Sequence, residues 1–128
     1  MAPACLRNVA LARTSRRLEV AFFGPVDYRD RLETLELILE RVAQEGIRRV
    51  LLDFSAAWHR LPTDETMAAF EARLVADATL RGACVAFVNC PDAHTVPTQS
   101  AGRTVGFAVR AFRSRNEALD WLDRCRPI

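Results

Sequence analysis

The spacing of apolar and polar positions changes several times along the chain, and each change marks an element. Cys5 to Ala12 alternates loosely. After the polar break Arg13-Thr14-Ser15-Arg16, the residues Leu18, Val20 and Phe22 alternate with Glu19, Ala21 and Phe23 as far as Gly24-Pro25. Two alternating runs joined by a short polar turn predict an antiparallel hairpin. Pro25 has no amide to give to a ladder and is expected to end it. From Asp30 to Glu45 the period becomes three and four: Leu32, Leu35, Ile38, Leu39 and Val42 form a stripe, with Arg31, Glu33, Glu36, Glu40 and Arg41 assigned to the other faces. That predicts an amphipathic helix stopped at Gly46.

The segment from Ile47 to Ser55 then runs through Val50-Leu51-Leu52 with almost no alternation and ends on Asp53-Phe54-Ser55. A short aliphatic run of this kind predicts a strand covered on both faces, as at the centre of a parallel sheet. The turn after it opens at the carboxyl edge of the sheet, where open α/β folds place their binding crevice. A loop is expected over Ala56 to Pro62. A second helix follows from Thr63, a suitable N-cap, to about Arg81, with Met67, Phe70, Leu74 and Ala78 facing inward. Ala83 to Asn89 reads as another buried strand. His94 to Gly106, interrupted by Pro97 and Gly102, allows only a short helix. Phe107 to Phe112 reads as the last strand, and Ser114 with Glu117 forms a capping box before a final helix carrying Trp121.

The predicted architecture is one α/β domain over residues 1–128. Its five-stranded sheet is mixed and mostly parallel, with an N-terminal antiparallel hairpin and three to four helices. Composition changes this picture little. The chain has 128 residues, half of them apolar, and a net charge of +2. All 18 basic residues are arginine, scattered among 16 acids rather than clustered on a stripe, which argues against a nucleic-acid partner. No apolar run approaches the roughly 20 residues needed to cross a bilayer, so no membrane role is expected. The four cysteines form no C-x-x-C pair. Reduced thiols and a cytoplasmic setting are expected, with Cys84 and Cys125 as small core fillers.

The hairpin ending at Gly24, the run Val50-Leu51-Leu52-Asp53, the strand Ala83 to Val88, and Val109 to Phe112 followed by Glu117-Ala118-Leu119-Asp120-Trp121-Leu122 together resemble the SpoIIAA-like branch of the STAS superfamily. The resemblance spans Arg17 to Leu122. It implies a small α/β domain without catalysis that binds a protein or a small ligand. The antagonists of that superfamily carry Asp-Ser-Ser-Gly after the central strand, with a phosphorylated serine. This chain has Leu61-Pro62-Thr63-Asp64-Glu65-Thr66 there instead, with no serine pair and no glycine. Thr63 and Thr66 are the phosphoacceptor candidates that remain, beside two carboxylates that would repel a phosphate.

At the carboxyl edge the chain offers Tyr28, Asp53, Trp58, His59, Arg60 and His94 for a partner or ligand. Trp58 can anchor a partner or fold back over the end of the sheet, and Arg60 beside it can grip an anion. Asp53 can bond the amides of the next turn or accept a ligand hydroxyl. Cys90 with His94 and His59 suggests a nucleophile or a metal site only weakly, because the rest of any zinc pattern is absent. No cofactor and no metal are expected. The leading expectation is therefore a non-enzymatic interaction or regulatory module working through these loops on a protein partner, with homodimerisation left open. The alternatives are a carrier or sensor of a small apolar or anionic ligand and, last, an enzyme with a Cys/His site.

Overall fold

The computed structural model describes residues 5–12 and 15–126, so Arg13 and Thr14 of the expected hairpin turn lie outside the described residues. Strands β1 (Leu6–Ala12) and β2 (Arg17–Val26) pair antiparallel; α1 (Tyr28–Glu45) follows, and then the long central strand β3 (Arg49–His59). Next come α2 (Asp64–Val75), a 3-10 turn (Ala78–Leu80), β4 (Cys84–Val88), α3 (Asp92–Val105), β5 (Ala108–Phe112) and α4 (Arg115–Arg124). The sheet order is β1-β2-β3-β4-β5, with every pair after the hairpin parallel. Each crossover steps to the next strand in one direction. A single crossover handedness therefore stacks α1, α2 and α3 on one face and leaves the other to α4.

The central strand sits where its pattern places it. Val50 and Leu51 are buried on opposite faces, and all five residues of β4 are buried beside them. The helix-rich face holds the larger core, in which Phe22 stacks on Phe54 at 4.4 Å between ring centres. The α4 face is thinner, made of Leu51, Cys84, Ala86, Val88, Ala118 and Leu122.

Several expectations need correction. Gly24-Pro25 does not end β2: the strand continues to Val26, and β3 runs alongside it to His59, so Ala56 to His59 is strand and not loop. Pro25 is tolerated because β1 pairs with β2 only as far as Phe23, so among the described residues the side of β2 away from β3 has no ladder partner at Pro25. The second helix is shorter than expected, ending at Val75. Ala78 is exposed, and Leu80 in the 3-10 turn supplies the buried side chain instead. The third helix is longer, spanning 14 residues through Pro97. Pro97 is the sixth residue of the helix, inside it and buried, and Gly102 serves as a contact surface, since a Cβ there would meet the Phe107 carbonyl oxygen at 2.8 Å.

Cys84 and Cys125 are not independent fillers. They form a disulfide, with Cα atoms 6.4 Å apart, that ties the start of β4 to the end of α4. The thin α4 layer explains the difference: size promised a sufficient core overall, but this half is built of small side chains. The reduced-thiol argument for a cytoplasmic setting does not hold for this pair. Among the described residues no helix is long and apolar enough to cross a membrane.

Candidate functional site

A bulge in β3 decides which residues meet at the carboxyl edge. Ala21 pairs with Asp53 and Phe23 with Ala56, so β2 advances two residues while β3 advances three. The extra residue reverses the alternation of β3 beyond it. Val50, Leu52 and Phe54 face the α1–α3 side before the bulge, whereas Ala57 and His59 do so after it. Trp58 is turned to the other face with Asp53. The indole, imidazole and guanidinium of Trp58, His59 and Arg60 therefore do not act side by side, and the predicted site residues divide between two surfaces.

On the inner face His59 stacks on His94, with ring centres 4.2 Å apart and planes 11° from parallel. Tyr28 closes the group: its hydroxyl is 3.1 Å from His94 Nδ1. Asp27 caps α1 through a reciprocal capping box with Asp30, and this fixes the helix start that carries Tyr28 inward. Into the same cluster comes Arg31, only 3% exposed. Its Nη1 donates to the His94 carbonyl oxygen at 2.7 Å and to the Tyr28 hydroxyl at 3.2 Å. Its guanidinium carbon lies 4.7 Å from the ring centre of Phe70 and 4.9 Å from that of Tyr28, with Phe54 and Phe87 just beyond. Among the described residues no carboxylate pairs with it. Aromatic faces supply part of the missing negative potential.

Arg31 was assigned to an outer face of its helix, which the structure overturns. The signal was present in the spacing: Arg31 stands four residues before Leu35, seven before Ile38 and eleven before Val42, on the buried stripe itself. A charged residue type outweighed its position.

Burial sets the protonation of this cluster. It lowers the pKa of His59 to about 3, with His94 and the Arg31 charge pushing the same way. Burial and then Arg31 also lower His94, and burial raises the Tyr28 hydroxyl. The Cys90 thiol is raised to about 11 by burial, against the pull of Arg31. At neutral pH both imidazoles are thus neutral and the thiol is protonated, the reverse of an activated cysteine. The imidazoles bind protons more readily in the unfolded chain than in the folded one, so stability is full above pH ~6.5 and falls as pH drops towards 3.

The outer face carries Asp53 and Trp58. Asp53 Oδ1 accepts from the Ser55 amide at 2.9 Å and from its hydroxyl at 2.5 Å, as a strand-end carboxylate bonding the next turn. Its other oxygen takes Arg115 Nη1 at 3.1 Å, and Arg115 also pairs with Glu19. Asn89 donates to the Ser55 hydroxyl at 2.9 Å, linking β4 to the group. Beyond this polar network Trp58 is 59% exposed and Phe23 42%, and the register puts both on this face as diagonal neighbours. Leu61, 98% exposed, follows directly at the strand end. Arg60 is exposed near Asp27, whose carboxyl its charge helps to hold low after the Asp30 amide and side chain.

Two solved structures are similar to this chain over nearly its whole length. One is an uncharacterised protein of the DUF3478 family with a SpoIIAA-like fold from Shewanella loihica PV-4: 17% identity, TM-score 0.59, covering 95% of this chain and 98% of that one. The other is the anti-sigma factor antagonist SpoIIAA in its unphosphorylated form: 15% identity, TM-score 0.54, covering 90% of this chain and 96% of that one. The fold is SpoIIAA-like. By sequence, no family model and no curated protein matches.

The two threonines expected from the sequence as phosphoacceptor candidates, Thr63 and Thr66, lie at the start of α2. Thr63 is the N-cap of that helix: its hydroxyl accepts from the Thr66 amide at 3.1 Å, and the Thr66 hydroxyl accepts from the Thr63 amide at 3.1 Å. Both threonines are exposed, and both hydroxyls are engaged in holding the cap. The predicted Cys90, His94 and His59 set comes together only as neutral groups around Arg31. Among the described residues no cluster of three His, Cys, Asp or Glu side chains has the arrangement of a metal site.

Proposed function

We propose that this chain is a non-enzymatic interaction module that presents the outer face of its carboxyl edge to a protein partner. The observation that carries the reading is the exposure of Trp58 and Phe23 on one face, continued by Leu61, beside a rigid charged rim of Arg115, Asp53 and Glu19. Large exposed apolar side chains next to ordered charges fit the centre and border of a protein contact. The bulge that points Trp58 outward, leaving it 59% exposed, supports this reading over the alternative in which the indole folds back over the end of the sheet. The similar structure of an anti-sigma factor antagonist supports a partner that is itself a protein. The protonated Cys90 and the neutral imidazoles support a role without catalysis.

The test is quantitative affinity purification from host cells with wild type, Trp58→Ala and Phe23→Ser. A hot-spot tryptophan contributes about 2 kcal/mol or more, so the partner recovered by wild type should be bound roughly 30-fold more weakly by Trp58→Ala. The melting temperature should stay within about 2 °C, because the side chain is mostly in water. Equal recovery by all three proteins would remove the reading.

A further inference from the structure

Strand β5 borders the sheet and pairs with β4 alone. The Ala108 amide donates to the Ala83 carbonyl oxygen at 2.9 Å, and the Asn89 amide donates to that of Phe112 at 2.8 Å. Parallel pairing turns the backbone groups of alternate residues to opposite sides, so Ala108, Arg110 and Phe112 point theirs at β4. Val109 and Ala111 point an amide and a carbonyl oxygen each away from the sheet, where nothing among the described residues receives them. All of β4 is buried, whereas Ala108, Arg110 and Ala111 are exposed. An open border of this kind is a template for one more strand.

The two sides of that border differ. On the α3 side a hollow beside Val109 is walled by Gln99, Gly102, Arg103 and Phe107, and no carboxylate lines it. On the α4 side the rings of Phe112 and Trp121 lie 5.8 Å apart, and Arg110 and Arg124 share the wall with Glu117 and Asp120. Arg126 adjoins Ala108 at the amino end, and Arg113 stands at the carboxyl end with Asp92 nearby. Among the described residues none of Arg103, Arg110, Arg113 and Arg126 pairs with a carboxylate. The opposite border strand, β1, carries one arginine, Arg7, and it already lies 3.9 Å from Glu33.

We propose that the β5 border receives an extended segment of a partner protein in which acidic and apolar residues alternate. Its backbone bonds Val109 and Ala111. Side chains of a strand alternate between faces, so its acids fall on the α3 side beside Arg103 and its apolar residues on Phe112 and Trp121. A second copy of this chain fits poorly: two β5 strands paired about their midpoints set Arg110 opposite Arg110, and like charges in that position destabilise a ladder. Because β4 separates this border from β3, the inference does not rest on the Trp58 surface.

The test is fluorescence polarisation of the full chain with a labelled peptide of about seven residues alternating glutamate and valine. Wild type should bind it with a Kd of about 50 µM at low salt. Arg103→Gln should weaken binding roughly fivefold. Arg29→Gln, the same loss of charge at a side chain 87% exposed on α1, should leave it unchanged. Ala111→Pro removes an outward amide where a border strand tolerates proline, and should abolish binding with little change in melting temperature. The same peptide with a central proline should not bind, and it carries the backbone test alone if Ala111→Pro fails to fold. Any of four results overturns the inference. They are no binding by wild type up to about 1 mM peptide, equal binding of the proline-interrupted peptide, equal weakening by Arg103→Gln and Arg29→Gln, or a wild-type dimer in sedimentation that Ala111→Pro dissociates. The second would mean that charge alone holds the acid, and the last that a second copy takes the border.

Discussion

Complete reduction of the Cys84–Cys125 disulfide is expected to lower stability by about 4 kcal/mol and the melting temperature by about 15 °C. The bridge closes a loop across a sequence separation of 41 residues, and reopening that loop restores entropy to the unfolded chain. Its place in the fold adds to the effect. The α4 layer rests on Ala118 and Leu122 over small side chains of β4, so little apolar area holds the helix down. What remains after reduction is this small apolar layer, with Trp121 against Phe112, and two polar ties: Arg49 donates to the carbonyl oxygens of Leu122 at 2.6 Å and Cys125 at 3.1 Å. Calorimetry with and without a phosphine reductant, with intact mass verifying the thiols, measures the loss. The double variant Cys84→Ala with Cys125→Ala should behave like the reduced protein. A melting temperature unmoved by complete reduction would mean that the bridge adds nothing to the docking of α4.

Phe54→Ala is expected to destabilise by about 3–5 kcal/mol, as large-to-small changes at buried aromatics do. Phe54 is 2% exposed, stacks on Phe22 and lies under both His59 and Arg31. Its removal leaves a cavity at the residue just before the bulge and takes away one of the rings facing the unpaired guanidinium. Two readouts should move together. Urea unfolding should give the stability loss, and His59 should titrate closer to an ordinary imidazole, since burial is the main cause of its depression. A loss below about 1 kcal/mol would show that the neighbouring rings repack freely and that the aromatic cluster is not a rigid unit.

What the sequence made legible was whatever rests on period and caps. The stripe of α1 with Gly46 at its end, the unbroken aliphatic run of β3, the all-apolar β4 and the N-cap at Ser114 each put one element in place, and their order implied the mixed sheet; of the box expected at Ser114, only the serine half forms. What escaped rests on single residues whose effect is decided by neighbours far away in sequence. One extra residue in β3 reverses alternation for everything after it, and nothing between Ser55 and His59 announces that without the register of β2. Arg31 stood on the apolar stripe, yet an arginine there is read as solvent-facing until the rings of Phe54, Phe70 and Phe87 are seen around it. Cys84 and Cys125 looked like isolated small side chains because the weakness of the α4 layer is a property of packing. Pro97 argued against a long helix, yet it stands inside α3 as the sixth residue with its ring buried, so tertiary packing overrides the local cost of a proline there. Of the proposed site residues, Tyr28, His59 and His94 do meet, while Asp53 and Trp58 share the opposite face.

The account depends on a β3 bulge that turns His59 inward beside a buried, unpaired cation while Trp58 faces out. The most direct measurement is an NMR titration of the two imidazole side chains, assigned by His59→Asn and His94→Asn. The account predicts that His59 stays neutral down to a pH of about 3 and that His94 titrates below the ordinary histidine value. Both rings titrating near pH 6.5 would contradict it, since imidazoles in water would mean neither the inward turn nor the buried cluster exists.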